Sequence, residues 1–157
     1  MEKVAQDQEH DLALLRLKNG DPLPSLRLAD RAAIEGQEVA LMGFPLGTVL
    51  GLFPVTHRGM VSVITPIIIP GANANELDAK AIKNLRKPFE VYQLDATAYP
   101  GNSGSPVFDA TTGDVLGIVN MVFVKGSKEK AITDPSGISY AIPAQYIKRL
   151  LERGSSQ

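Results

Sequence analysis

The sequence predicts an all-β protein, a sandwich or barrel, and three observations carry that prediction. Seven or more short segments rich in β-branched and apolar residues follow one another, separated by turns of Gly, Pro, Asn and Asp. Of the two helical patterns, one stands as an insertion between strands and the other at the carboxy terminus, so helices do not alternate with strands as a parallel α/β sheet requires. A chain of 157 residues with 44% hydrophobic and 21% charged residues is long enough and apolar enough for one ordinary core, or two small lobes packed together.

Taken in order, a strand-like segment follows Met1, and Asp11 to Leu17 (DLALLRL) is short, leucine-rich and closed by the turn residues Asn19-Gly20-Asp21-Pro22. Val39 to Gly43 is a second apolar strand, ended by Phe44-Pro45-Leu46-Gly47. Val55 to Ile64 is β-branched with polar and apolar positions mixed, which suits either one strand or a strand pair with a bend at Gly59. Asn75 to Arg86 spaces Leu77, Ala81, Ile82 and Leu85 as a short amphipathic helix. Further strands are predicted at Glu90 to Leu94, Pro106 to Phe108, Val115 to Val124 and Ile138 to Ile142, with a polar loop over 123–137. From Pro143 to Glu152 the residues Ile147, Leu150 and Leu151 share one face of a closing helix, with Pro143 at its first position and Gly154 at its exit.

Several function classes are excluded at this level. A net charge of −1 supplies no basic stripe for a phosphate backbone, so nucleic acid is not an expected partner, and the cluster Lys125, Lys128 and Lys130 reads as a solvated loop. The longest apolar run, Val61 to Ile69, is interrupted by Thr65 and Pro66 and is too short to span a bilayer. With no cysteine and only His10 and His57 as histidines, neither a structural zinc site nor a disulfide framework is available, and no metal or other cofactor is expected.

The chemistry concentrates in Pro100-Gly101-Asn102-Ser103-Gly104-Ser105-Pro106-Val107-Phe108. A serine hydroxyl needs a base to take its proton, and the acyl transition state develops an oxyanion that needs fixed donors. Glycines on both sides of Ser103 allow a tight turn that brings the amides of Gly101 and Ser103 to one point, a candidate oxyanion hole. A strand follows the serine and Ser105 stands where a second glycine would complete G-x-S-x-G, so this is not the nucleophile elbow of an α/β-hydrolase.

In order and spacing, PGNSGSPVF, then Gly113 to Val119 (GDVLGIV), then Gly137 to Pro143 (GISYAIP), resemble the carboxy-terminal barrel of HtrA/Deg-type trypsin-like serine peptidases. Upstream, His10-Asp11-Leu12-Ala13-Leu14 resembles the family's strand bearing the triad aspartate, and Gly43-Phe44-Pro45-Leu46-Gly47 its glycine-proline turn. The resemblance runs from Asp11 to about Leu151. It implies a chymotrypsin-like double β-barrel, with a partial amino-terminal barrel over 1–54 and a complete carboxy-terminal barrel with its closing helix over 55–157.

It also implies roles. Ser103 would be the nucleophile and Asp11 the carboxylate that orients the histidine. Asn120, Met121 and Val122 would pair with an extended substrate, and Thr97, Ala98, Tyr99, Ser139 and Tyr140 would line the primary pocket. No carboxylate appears among those lining residues, so cleavage is expected after small or medium apolar residues rather than Lys or Arg. The resemblance further implies peptides or unfolded proteins as partners, an extracytoplasmic location and a homo-oligomer.

The chain departs from the pattern at Ser105, where the family's serine motif usually carries a second glycine, and in its histidine. The family's histidine stands a few dozen residues before the triad aspartate, and only ten residues precede Asp11. Met1 sits abruptly before a strand, as a truncated start would, so the catalytic histidine is expected to be absent and this fragment inactive. The alternative is a trypsin-fold module that binds peptides without cutting them.

Overall fold

The computed structural model describes residues 1–19, 23–45, 51, 53–67, 88–99, 101–120 and 137–155. The strand-like segment after Met1 is β1 (Glu2–Asp7), which pairs antiparallel with β2 (Leu12–Arg16) as a separate two-stranded sheet. The remaining strands are β3 (Glu38–Gly43), β4 (Val55–Ile67), β5 (Phe89–Asp95), β6 (Pro106–Asp109), β7 (Val115–Val119) and β8 (Ile138–Pro143). They close into one antiparallel barrel in the order β3-β4-β5-β8-β7-β6, with β6 returning to β3. Closure leaves no unpaired strand edge in the barrel. A terminal helix, α1 (Ala144–Ser155), follows β8 directly.

Period-two alternation decides which side chains fill the barrel. Val39 and Leu41 of β3, Val61 of β4, Leu94 of β5 and Val107 of β6 are all fully buried and belong to one core cluster. The connection from β2 to β3 seals one side: Ala29 bonds to the Val115 carbonyl, and the Ala33 amide donates to the Tyr92 hydroxyl at 3.1 Å. A second cluster lies between β1–β2, α1 and the outer wall of the barrel, where Leu12, Phe89, Val91, Ile142, Tyr146 and Leu150 pack. Tyr146 and Leu150, four apart, present one apolar stripe of α1 to it. Fully burying a side chain such as Leu150 stabilises the fold by roughly 1.5–3 kcal/mol.

Several expectations are revised. The six barrel strands straddle the division expected at 54/55, because β3 is required between β4 and β6 for closure; of the described strands only β1 and β2 lie outside the barrel. Of the two readings of Val55 to Ile64 the single strand holds: Gly59 sits in an unbroken ladder opposite Val39, and its missing Cβ leaves room for the Asp95 carbonyl and the Ala96 methyl. Asp11 and His10 lie in the turn before β2 rather than on it. Pro143 ends β8 instead of opening the helix, and Gly154 lies inside α1, buried against Leu14 of β2. The expected strand to Val124 is described only to its β7 portion. The expected helix over 75–86 and most of the loop over 123–137 lie outside the described residues.

Candidate active site

Ser103 stands on the turn between β5 and β6. The Asn102 amide donates to the Tyr99 carbonyl and the Ser105 amide to the Asn102 carbonyl, each at 3.0 Å, so two tight turns follow one another. Gly101 at φ 103° and Gly104 at φ 86° bracket the serine in backbone conformations that a Cβ disfavours. The turn is tied to the end of β7 by two further bonds: Gly104 donates to the Val119 carbonyl and Val119 to the Ser105 carbonyl, both at 2.8 Å. Ser103 is exposed, while its neighbours Asn102 and Ser105 point inward and are buried. Among the described residues, neither the Gly101 nor the Ser103 amide donates to a backbone acceptor.

The floor under this turn explains a glycine. A Cβ at Gly43 would overlap the Ser105 hydroxyl and press on the Asn102 side-chain oxygen, so a side chain at the last residue of β3 would have to displace these two buried side chains. Asn102 is completely buried, and among the described residues neither Nδ2 nor Oδ1 of its side chain has a hydrogen-bond partner.

Asp11 is the one described non-glycine residue with positive φ, at 53°. Its exposed carboxylate accepts a hydrogen bond from the Asn120 side-chain amide at 3.0 Å. Asn120 directly follows Val119, the residue that holds Gly104 and Ser105. The end of β7 therefore joins the two regions, the turn of Ser103 on one side and the turn of Asp11 on the other.

Other expected site residues are placed differently from one another. Asn120 is buried; its backbone amide donates to the Tyr140 carbonyl at 2.8 Å and its side chain is engaged with Asp11, so its described contacts are internal. Ala98 belongs to the barrel core, and the Ser139 hydroxyl is buried and donates to the Ala96 carbonyl at 2.9 Å. Thr97, Tyr99 and Tyr140 are half-buried; Tyr140 hydrogen-bonds Gln93 at 3.3 Å. Met121 and Val122 lie outside the described residues.

Neither histidine contacts Ser103 or Asp11 in the described hydrogen bonds and ring contacts. His10 Nδ1 lies 2.9 Å from Asp7 Oδ2, and its ring stacks on Tyr146 at 4.0 Å and meets the edge of Phe89. His57, on β4 opposite Leu41, packs near Tyr99 with its Nε2 buried and unpartnered. Among the described residues no group of three or more His, Asp or Glu could hold a metal ion, and no helix is long and apolar enough to cross a membrane.

Sequence reasoning assigned no role to Asp7. Its buried carboxylate accepts bonds from the amides of Glu9 and His10, from the His10 ring, and from Arg153 Nη2 of α1 at 2.7 Å. Burial pushes this carboxyl up, but the hydrogen bonds from His10 and Arg153 and the charge on His10 outweigh it and hold it below the usual aspartate value. The available signal was an acidic residue ending a strand four positions before Asp11.

A closed antiparallel barrel with a terminal helix, an exposed serine between two positive-φ glycines, and an aspartate joined to the same strand end define the architecture of a trypsin-like peptidase domain. The chain belongs to that family, whose model, described as a trypsin-like peptidase domain, matches residues 2–118. Its relatives are of the HtrA/Deg type. It is 30% identical over 155 residues to the mitochondrial serine protease HTRA2 of Bos taurus, covering 98% of this chain and 28% of that protein. It is 31% identical over 147 residues to a probable periplasmic DegP-like serine endoprotease of Halomonas elongata (90% and 24%), and 29% identical over 150 residues to the Do-like serine protease HtrA of Bacillus subtilis (95% and 29%). The chain thus spans between 24% and 29% of the length of these curated relatives. The fold is also that of the Rv3671c protease of M. tuberculosis in its inactive form, with a TM-score of 0.65 at 22% identity, covering 96% of this chain and 64% of that one.

Proposed function

We propose that the whole protein is a serine endopeptidase in which Ser103 is the nucleophile, Asp11 the orienting carboxylate, and the Gly101 and Ser103 amides the oxyanion hole. The observation that carries this reading is the exposed serine on a turn braced by Gly101 and Gly104, with two backbone amides that meet no backbone acceptor among the described residues. The base is a histidine outside this chain, since His10 is engaged by Asp7 and Tyr146 and His57 lies inside the β3–β4 ladder. That histidine takes the Ser103 proton as Oγ bonds to the peptide carbonyl carbon; the amides hold the oxyanion, and the histidine returns the proton to the leaving amine. Water then attacks the acyl-enzyme by the same route and frees Ser103.

Thr97, Tyr99 and Tyr140 are the half-buried residues nearest this role in the pocket wall, and the absence of a carboxylate among them supports cleavage after small or medium apolar residues. The serine proteases and endoproteases among the relatives support protein substrates, and those named periplasmic support an extracytoplasmic location. A homo-oligomer rests on the resemblance alone. That neither histidine contacts Ser103 or Asp11 among the described residues favours one other reading of the protein, a peptide-binding module without hydrolysis.

Labelling the natural full-length protein with a fluorophosphonate separates the two. The peptidase reading predicts labelling that Ser103→Ala abolishes. Equal labelling of both proteins defeats the assignment of Ser103, and no labelling of either supports the binding module.

A further inference from the structure

From the geometry we infer that Asp7 is a positioning residue: with Arg153 and His10 it couples the terminal helix α1 to the backbone conformation that aims Asp11 at Asn120. The inference rests on the reading of Asp11 as the orienting carboxylate.

Asp11 holds a left-handed conformation at φ 53° without being glycine. Such a conformation costs about 1–2 kcal/mol for an L-residue, somewhat less for Asp, and persists where neighbouring contacts impose it. Both neighbours are imposed here. On one side, the Asp7 carboxylate closes the β1–β2 turn by accepting the Glu9 and His10 amides at 3.1 and 3.2 Å, and one of its oxygens also meets the His10 ring. The ring itself is wedged between Tyr146 of α1 and Phe89 of β5, which fixes residue 10 against the barrel wall. On the other side, Leu12 is buried in the same cluster. Asp11 is the link between two anchored residues, and its exposed carboxylate is left facing Asn120.

The anchor for Asp7 is distant in sequence. Arg153, in the last turn of α1, reaches it at 2.7 Å, and Gly154 beside it packs against Leu14 of β2 without room for a Cβ. A charge-assisted bond to a buried carboxylate resists displacement more than a neutral one does. Seating of α1 is therefore transmitted to the Asp11 turn through the Asp7 carboxylate together with the His10 ring.

The test compares Asp7→Asn, Asp7→Glu, Arg153→Gln and Asp11→Asn in the natural full-length protein, with steady-state peptide hydrolysis normalised to the folded fraction. A positioning role predicts that Asp7→Asn lowers kcat about tenfold while KM stays within about twofold, because a displaced catalytic group costs rate more than binding. Asp7→Glu recovers part of the loss and Arg153→Gln loses about threefold, since one of several bonds to the carboxylate is removed. Should Asp7→Asn fail to fold, the milder Arg153→Gln carries the same prediction. If Asp11→Asn lowers kcat steeply and both Asp7→Asn and Arg153→Gln leave it unchanged, the inference is wrong while the function stands. If Asp11→Asn leaves kcat unchanged, the reading of Asp11 fails and this inference with it.

Discussion

The two turns of the candidate site are built by different means. The Ser103 turn is fixed by backbone: paired glycines at positive φ, two internal turn bonds and two bonds to β7 in a barrel without edges. The Asp11 turn sits on a two-stranded sheet outside that barrel and is fixed by side chains, namely Asp7, His10 and Arg153 below it and Asn120 above. A two-stranded sheet is marginal alone in water, so its position depends on α1 and the second cluster. The difference places backbone control at the nucleophile and side-chain control at the carboxylate.

The sharpest way to break this comparison is at the carboxylate itself. Asp11→Asn in the full-length protein is expected to lower kcat by about 10⁴ through the wrong histidine tautomer, with the fold retained by circular dichroism. Gly43→Ala attacks the Ser103 turn from beneath: the added methyl displaces Ser105 and Asn102 and should lower the rate of phosphonate labelling at least tenfold, as a stopped labelling series would show.

Leu150→Ala attacks the support of the Asp11 turn. Removing this buried leucine should cost about 2–5 kcal/mol in urea unfolding. Amide exchange should rise first in β1 and β2 and leave the barrel strands protected, since α1 packs on both β1 and β2.

Acid provides a gentler probe. The Asp7 and Asp109 carboxyls are both held below the usual aspartate value, Asp7 by His10 and Arg153 against the upward push of burial, Asp109 first by the Thr111 and Thr112 amides and then by Arg31 and Gln37. A lowered folded value means that the stabilisation is complete above the unfolded pKa of about 3.9 and is lost as pH falls through the folded value. Stability measured from pH 6 downward should therefore hold to about pH 4 and decline below it, and Asp7→Asn should flatten part of that decline. At the small end, Arg58 and Glu38 form an exposed ion pair on the outer wall of the barrel, and Arg58→Ala should change stability by less than about 1 kcal/mol.

What was legible in the sequence follows the same division. The Ser103 turn, its glycines and the strands beside it could be read, because backbone conformation there is dictated by residues adjacent in the chain. β2, β3, β5, β6 and β8 were recognisable for the same reason, from local apolar runs ended by turn residues. The Asn120 bond to Asp11 and the Arg153 bond to Asp7 join residues far apart in the chain, and no local pattern announces them. Gly154 looked like a helix exit because its packing partner, Leu14, comes from the other end of the molecule. The role of β3 was equally hidden, since barrel closure is a property of six strands together and not of any one segment.

The most direct measurement is a crystal structure of the natural full-length protein with a peptidyl boronate. The account predicts a covalent bond from Ser103 Oγ to boron and one boronate oxygen within about 2.7–3.1 Å of both the Gly101 and Ser103 amide nitrogens. A boronate bonded to another residue, or both amides turned away from its oxygens, would contradict it.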